Sequence, residues 1–70
     1  MNFEQFKTEQ ELFVEFRNAL VHNNTPYAKE IAMEYGKRGY TTMNGESVES
    51  VFQRNPVLKE WYGKGRATRK

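Results

Sequence analysis

The fold depends above all on residues 54–70, which read RNPVLKEWYGKGRATRK. This stretch carries six basic residues and one acidic residue, a net charge of +5, whereas residues 1–53 carry five basic and eight acidic residues, a net charge of −3. Gly63 and Gly65 flank a single lysine, and glycine tolerates the positive φ angles that a tight turn requires. The pattern predicts a short β-hairpin in which residues 57–62 pair with residues 66–69.

The charge distribution and the composition together narrow the functional classes. Clustered cations favour a polyanionic partner, because neutralising phosphates releases their counterions. The chain has 70 residues, no cysteine and one histidine, so it holds at most one domain and no disulfide or thiolate metal site. We expect no metal, no cofactor and no catalytic residues, because nothing in the sequence builds a Ser-His-acid arrangement around His22.

The sequence also bears on the compartment. No apolar run approaches the roughly 20 residues that a membrane-spanning helix needs. The first residues, MNFEQF, lack the basic and apolar regions of a secretory signal. We therefore expect a cytoplasmic protein without a membrane partner.

Two helices are predicted in the first half of the chain. Thr8 and Glu11 have the spacing of a capping box, which predicts a helix from there to about His22. Thr25 before Pro26 predicts the N-cap of a second helix. The apolar spacing places one set of side chains inside: Leu12, Phe13, Phe16, Ala19 and Leu20 in the first helix, and Tyr27, Ala28, Ile31 and Tyr35 in the second.

The end of the second helix and a third helix follow. Gly36 or Gly39 can end the second helix, after which Tyr40 is expected to fold back over the last turn. A third helix is predicted over roughly residues 45–54, with either Thr42 or Asn44 as its cap and Pro56 as a stop. Its inward side chains are Val48, Val51 and Phe52.

This order of elements resembles the winged helix-turn-helix superfamily. The resemblance covers about residues 8–68 and rests on TPYAKEIA at 25–32, Gly39-Tyr40, SVESVF at 47–52 and the Gly-Lys-Gly turn at 63–65. It implies a mainly α, three-helix winged helix-turn-helix with a short C-terminal β-hairpin. Residues 1–70 then form one domain, with 1–7 as an N-terminal extension and 57–69 as the wing.

The resemblance also implies a function, that of a small DNA-binding protein and transcriptional regulator. In that family the third helix enters the major groove of double-stranded DNA and the wing holds phosphates. The implied major-groove residues are Glu46, Ser47, Ser50, Gln53 and Arg54, and the implied phosphate-binding residues are Lys59, Lys64, Arg66, Arg69 and Lys70.

Two aromatic residues in the predicted wing have two interpretations. Trp61 and Tyr62 lie among cations, and aromatic side chains between basic residues are suited to stacking on the bases of single strands. Adjacent residues of a strand point to opposite faces, however, so we expect one of the pair, Trp61, in the core.

The first helix carries an apolar stripe opposite its inner face. Val14, Arg17 and Val21 follow each other at helical spacing, and Phe3 and Phe6 precede them in the chain. These five residues predict a patch for a homodimer or another partner. The two phenylalanines have an alternative place, packed under the helical bundle.

A second function remains open at this point. The chain could be a protein-interaction module that binds RNA polymerase or another host protein, as small phage-type regulators do, and uses the same fold without reading DNA. Glu46 and Glu49 favour this alternative, since phosphates repel carboxylates, and the C-terminal cations favour DNA.

Overall fold

The computed structural model describes residues 3–67 as four helices and a two-stranded antiparallel sheet. The mainly α class is confirmed. The elements in chain order are α1 (Glu9–Val21), α2 (Thr25–Arg38), β1 (Thr42–Met43), β2 (Glu46–Ser47), α3 (Val48–Arg54) and α4 (Pro56–Ala67). Helices α1 and α4 both pack against α2, while α3 packs against α4 and the sheet.

The start of α1 confirms the capping box. The Thr8 hydroxyl accepts a hydrogen bond from the Glu11 amide at 3.2 Å, and the Glu11 carboxylate accepts one from the Thr8 amide at 3.0 Å. These bonds satisfy two amides that the first turn of a helix otherwise leaves without partners. The buried residues of α1 are Leu12, Phe16 and Ala19, whereas Leu20 is half exposed and was wrongly assigned to the inner face.

The cap of α2 is Asn24, so the prediction that Thr25 is the cap was wrong. The Asn24 carbonyl already accepts the first helical hydrogen bond, from the Ala28 amide at 3.0 Å, and its side chain accepts one from the Tyr27 amide. Thr25 and Pro26 are therefore both inside the first turn. Proline is tolerated there because a first-turn amide has no helical acceptor.

The end of α2 confirms two predictions. Gly39 adopts φ 72°, the left-handed conformation that ends many helices. Tyr40 folds back, and its ring meets the Tyr35 ring edge-on with centroids 5.5 Å apart. The Tyr35 hydroxyl, inside the core, donates to the Glu9 carboxylate at 2.7 Å and so joins the start of α1 to α2.

The segment before α3 forms a hairpin, so the third helix begins later than predicted. Asn44 and Gly45 have φ of 56° and 80°, as the central residues of a tight hairpin turn require, and neither Asn44 nor Thr42 is the cap. Asn-Gly suits this turn because both residues tolerate positive φ. Helix α3 starts at Val48 after Ser47, with Val48 and Val51 buried and Phe52 packed against the core.

The predicted C-terminal hairpin and wing were wrong over residues 57–67, which lie in α4; residues 68–70 are outside the described part of the chain. The prediction assigned Gly65 to a tight turn, whereas in the structure this glycine allows close packing of two helices. A Cβ atom on Gly65 would lie 1.8 Å from the carbonyl oxygen of Met33, and one on Gly36 would lie 2.1 Å from that of Tyr62. These glycines let the backbones of α2 and α4 touch, and Pro56 serves as a helix start as well as a stop.

Tyr62, and not Trp61, is the buried member of the aromatic pair. The prediction assumed a strand, in which neighbours point to opposite faces, but in a helix they are only about 100° apart. Tyr62 donates its hydroxyl hydrogen to the Tyr40 carbonyl and packs edge-on against Phe52, with ring centroids 5.3 Å apart. Trp61 is half buried at the edge of the same core.

The N-terminal segment lies against the bundle. Phe3 is buried and Phe6 half buried, so the patch predicted for Phe3 and Phe6 does not exist on the surface. Arg38 fixes this segment by donating to the carbonyls of both phenylalanines, at 2.7 Å for Phe3, and to the Glu34 carboxylate. The two rings complete the core because so short a chain has few other large apolar groups.

Candidate functional site

Two grooves flank α4, and together they are lined by five of the ten residues predicted to contact DNA. The first, the basic groove, lies between α3 and α4. The second, the apolar groove, lies between α1 and α4 and is closed at one end by α3 and the hairpin. The lining of the basic groove includes Ser47, Glu49, Phe52, Lys59, Gly63 and Arg66.

The basic groove has its cations on one face of α4. Lys59, Gly63 and Arg66 are spaced by four and three residues, so they follow each other along the helix surface. Gly63 faces open space, since a Cβ added there would meet no atom within 4 Å. Neither Lys59 nor Arg66 forms a salt bridge within residues 3–67. The result is an accessible stretch of backbone with an unneutralised cation on either side.

A second group of the residues predicted to contact DNA forms a separate hydrogen-bond network. Glu46, in β2, accepts hydrogen bonds from the guanidinium of Arg54 and, at 2.8 Å, from the hydroxyl of Ser50. The hydrogen bonds from Arg54 and Ser50 lower the pKa of Glu46 to about 2. Glu46 and Arg54 stand at the rim of the apolar groove, where the Glu46 side chain keeps 36% of its surface exposed beside its ion pair with Arg54.

The structure thus divides the set of residues that sequence analysis assigned to DNA. Ser47, Lys59 and Arg66 meet in the basic groove, and Gln53 lies beside it, next to Lys59 and Glu49. Lys64 projects from another side of α4, with its ammonium 3.9 Å from the Glu60 carboxylate. Glu46, Ser50 and Arg54 form the network described above, and Arg69 and Lys70 lie outside the described residues.

The apolar groove was missed by the sequence analysis. Its walls are Phe13 and Leu20 from α1 and Val57 and Trp61 from α4, over a volume of about 330 Å³. Leu20 and Val57 are 50% and 47% exposed, so both present apolar surface to solvent at this groove. The spacing of Val57 and Trp61, four residues apart, indicates one helical face, but a prediction of strands in this region hides it.

Potential metal-binding side chains are not grouped in the described part of the chain. Residues 3–67 contain no group of three or more acidic, histidine or cysteine side chains placed to hold a metal ion. His22 is at the end of α1, where its ring nitrogen Nδ1 lies 2.8 Å from the Asn18 carbonyl oxygen. In the same residues no helix is long and apolar enough to cross a bilayer.

Comparison with known proteins adds no relative. No family model matches the sequence, and neither a curated protein nor a solved structure matches it.

Proposed function

We propose that the protein is a small DNA-binding regulator that holds the phosphate backbone of double-stranded DNA in the basic groove. The observation that carries the proposal is the pair Lys59 and Arg66, which border the same open stretch of α4 without a salt bridge within residues 3–67. Seven residues of helix separate them by roughly 10 Å along the axis. Two cations at this separation can each neutralise a phosphate of a bound strand.

The environment of the two cations supports a phosphate strand. Gly63 has no side chain and faces open space, so a strand can approach the backbone of α4 closely. Ser47 borders the groove with a hydroxyl that does not cap α3, which leaves it available to a phosphate oxygen. Glu49 opposes binding because its carboxylate borders the same groove.

This proposal keeps part of the winged helix-turn-helix resemblance and replaces another part. Helix α3 remains the element that faces the DNA, and α4 takes the phosphate contacts that a wing makes in that family. Gln53 is the side chain of α3 left to contact bases, because Arg54 and Ser50 are bonded to Glu46. With so few direct base contacts, we expect only a modest preference among DNA sequences.

Titration of a labelled random duplex at several salt concentrations tests the proposal. Replacing Lys59 and Arg66 together by alanine should weaken binding and reduce the slope of log K against log salt by about two. The matched control removes two other cations, Lys7 and Lys64, which lie away from the groove, and should change that slope much less. Glu49→Gln should strengthen binding, since it removes the repelling charge.

Two results would contradict the proposal. One is the absence of duplex binding even at low salt, and the other is an equal loss of slope in the control variant. In the first case the alternative of a protein-interaction module becomes the better account, with the apolar groove as its binding surface; in the second the phosphates bind outside the basic groove.

A further inference from the structure

The exposed large apolar side chains of the described residues lie on α1 and α4. Within residues 3–67 the large apolar side chains classed as exposed are Val14, Leu20, Val21 and Val57, with between 47% and 69% of their surface accessible. Leu20 from α1 and Val57 from α4 both line the apolar groove. Scattered apolar residues on a surface are normal, but a cluster beside a groove marks a binding surface.

Helix α1 contributes to this surface twice. Phe13 and Leu20 form one wall of the apolar groove. Val14, Arg17 and Val21 follow each other at three- and four-residue spacing and form a second exposed row, the outer stripe, on the side of α1 next to that wall. The molecule therefore carries a concave apolar surface and, adjoining it, a convex apolar one.

The outer stripe contains one charged residue, Arg17. The nearby carboxylates of α1 already have partners: Glu11 completes the capping box, and Glu15 accepts a hydrogen bond from the Tyr27 hydroxyl at 3.1 Å. Arg17, in the middle of the outer stripe, forms no salt bridge within residues 3–67. A partner of this stripe must therefore be apolar and must supply a carboxylate near Arg17.

We propose that the occupant of the apolar groove is a second copy of this chain, with the outer stripe of each copy seated in the groove of the other. The groove has the chemistry that the stripe requires. Its walls are apolar, and the carboxylate of Glu46 stands at its rim, where a carboxylate retains acceptor sites beyond its bonds to Arg54 and Ser50. Arg17 of one copy thus meets Glu46 of the other.

A two-fold axis satisfies both contacts at once. In the proposed pair each copy offers its stripe and receives its partner's stripe in its own groove, so the two contacts are equivalent and related by a two-fold axis. The exposed apolar surface is small compared with the roughly 800 Å² per partner of a stable interface. We therefore expect a reversible dimer with a dissociation constant on the order of micromolar or weaker.

Sedimentation equilibrium of the full chain tests this proposal without any nucleic acid, so its outcome is separate from that of duplex binding. The apparent mass should rise above the 8.3 kDa of one chain as the concentration increases. Val21→Asp in the stripe and Val57→Asp in the groove should each weaken the dimer at least tenfold, since each change enters the interface twice. Lys37→Gln, on the exposed face of α2, makes the same change in net charge; it is the control and should leave the apparent mass as in the unmodified protein.

A mixing experiment distinguishes this arrangement from other dimers. When Val21→Asp and Val57→Asp proteins are mixed, one intact stripe and one intact groove remain in the mixed pair, so association should partly return. Circular dichroism must show that each variant is folded. A chain that stays monomeric at millimolar concentration overturns the proposal, as does a dimer that survives both substitutions or gains nothing on mixing.

Discussion

Helix α4 faces α2 and α1 in opposite ways. Toward α2 the backbones touch, because Gly36 and Gly65 remove the side chains that would hold the helices apart. Toward α1 a groove of about 330 Å³ remains between large side chains such as Leu20 and Trp61. The comparison shows that tight packing in this small domain is local: one face of α4 holds the fold together, and the other remains available for binding.

The contact between α2 and α4 should be the more sensitive of the two to substitution. Gly65→Ala places a Cβ atom where the nearest atoms are the backbone of Met33, and backbone cannot turn aside as a side chain can. Helices α2 and α4 must then separate, and we expect a loss of at least about 3 kcal/mol in the free energy of unfolding. Chemical denaturation measures it.

The matched control is the same substitution two residues earlier. Gly63 faces open space in the same helix, so Gly63→Ala should raise stability by about 0.5–1 kcal/mol through the better helix propensity of alanine. If both substitutions change stability alike, the close contact of α2 and α4 is wrong.

Substitutions at two neighbouring residues near the start of α4 allow the core to be compared with the apolar groove. Leu58 is 6% exposed, and Leu58→Ala should cost about 2–5 kcal/mol because it removes buried apolar contacts and leaves a cavity. Val57→Ala should cost less than about 0.5 kcal/mol, since nearly half of that side chain is exposed. Denaturation at low protein concentration, where any dimer has dissociated, measures both values. Similar losses would mean that the Val57 side chain is buried in solution and that the apolar groove is not open there.

The same contrast explains what could be predicted from the sequence. Local patterns succeeded where the residues involved are neighbours: the capping box of Thr8 and Glu11 and the left-handed Gly39 follow from short-range hydrogen bonding and backbone freedom. The role of Gly65 could not be found in this way. A glycine that allows a turn and one that allows two helices to touch look identical until the partner, Met33, is known.

The candidate site shows the same limit. The cations of residues 54–67 were recognised from composition, but whether they act together depends on the period of the element that carries them. A helix brings Lys59 and Arg66 to one face and sends Lys64 to another, whereas a strand groups them differently. The pairing of Arg54 with Glu46 joins a strand to a helix and has no local signal.

A substitution at the start of α2, the helix against which both α1 and α4 pack, should have a smaller effect on the free energy of unfolding. Asn24→Ala should cost about 0.5–2 kcal/mol, since it removes the side chain that accepts the Tyr27 amide. The bond is 3.4 Å long, which places the expected loss toward the lower end. Thr25→Ala, one residue inside the helix, serves as the control; a larger loss there than at Asn24 would restore Thr25 as the cap.

The smallest effect on stability is expected at the rim of the open groove. Glu46 has a pKa lowered to about 2 by its hydrogen bonds from Arg54 and Ser50, against an ordinary value of 4.5. The folded-state pKa is depressed, so the stabilisation is complete above the ordinary carboxyl pKa and is lost as the pH falls from 4.5 through about 2.

Carboxyl chemical shifts of Glu46 followed by NMR should show a midpoint near 2 that returns toward 4.5 in Arg54→Ala and moves less in Ser50→Ala. A midpoint near 4.5 in the unmodified protein would show that the network does not form in solution. If the low midpoint is found, Glu46 is ionised at every pH above that range, and the contact proposed between Glu46 and Arg17 of a second copy will not depend on pH under neutral conditions.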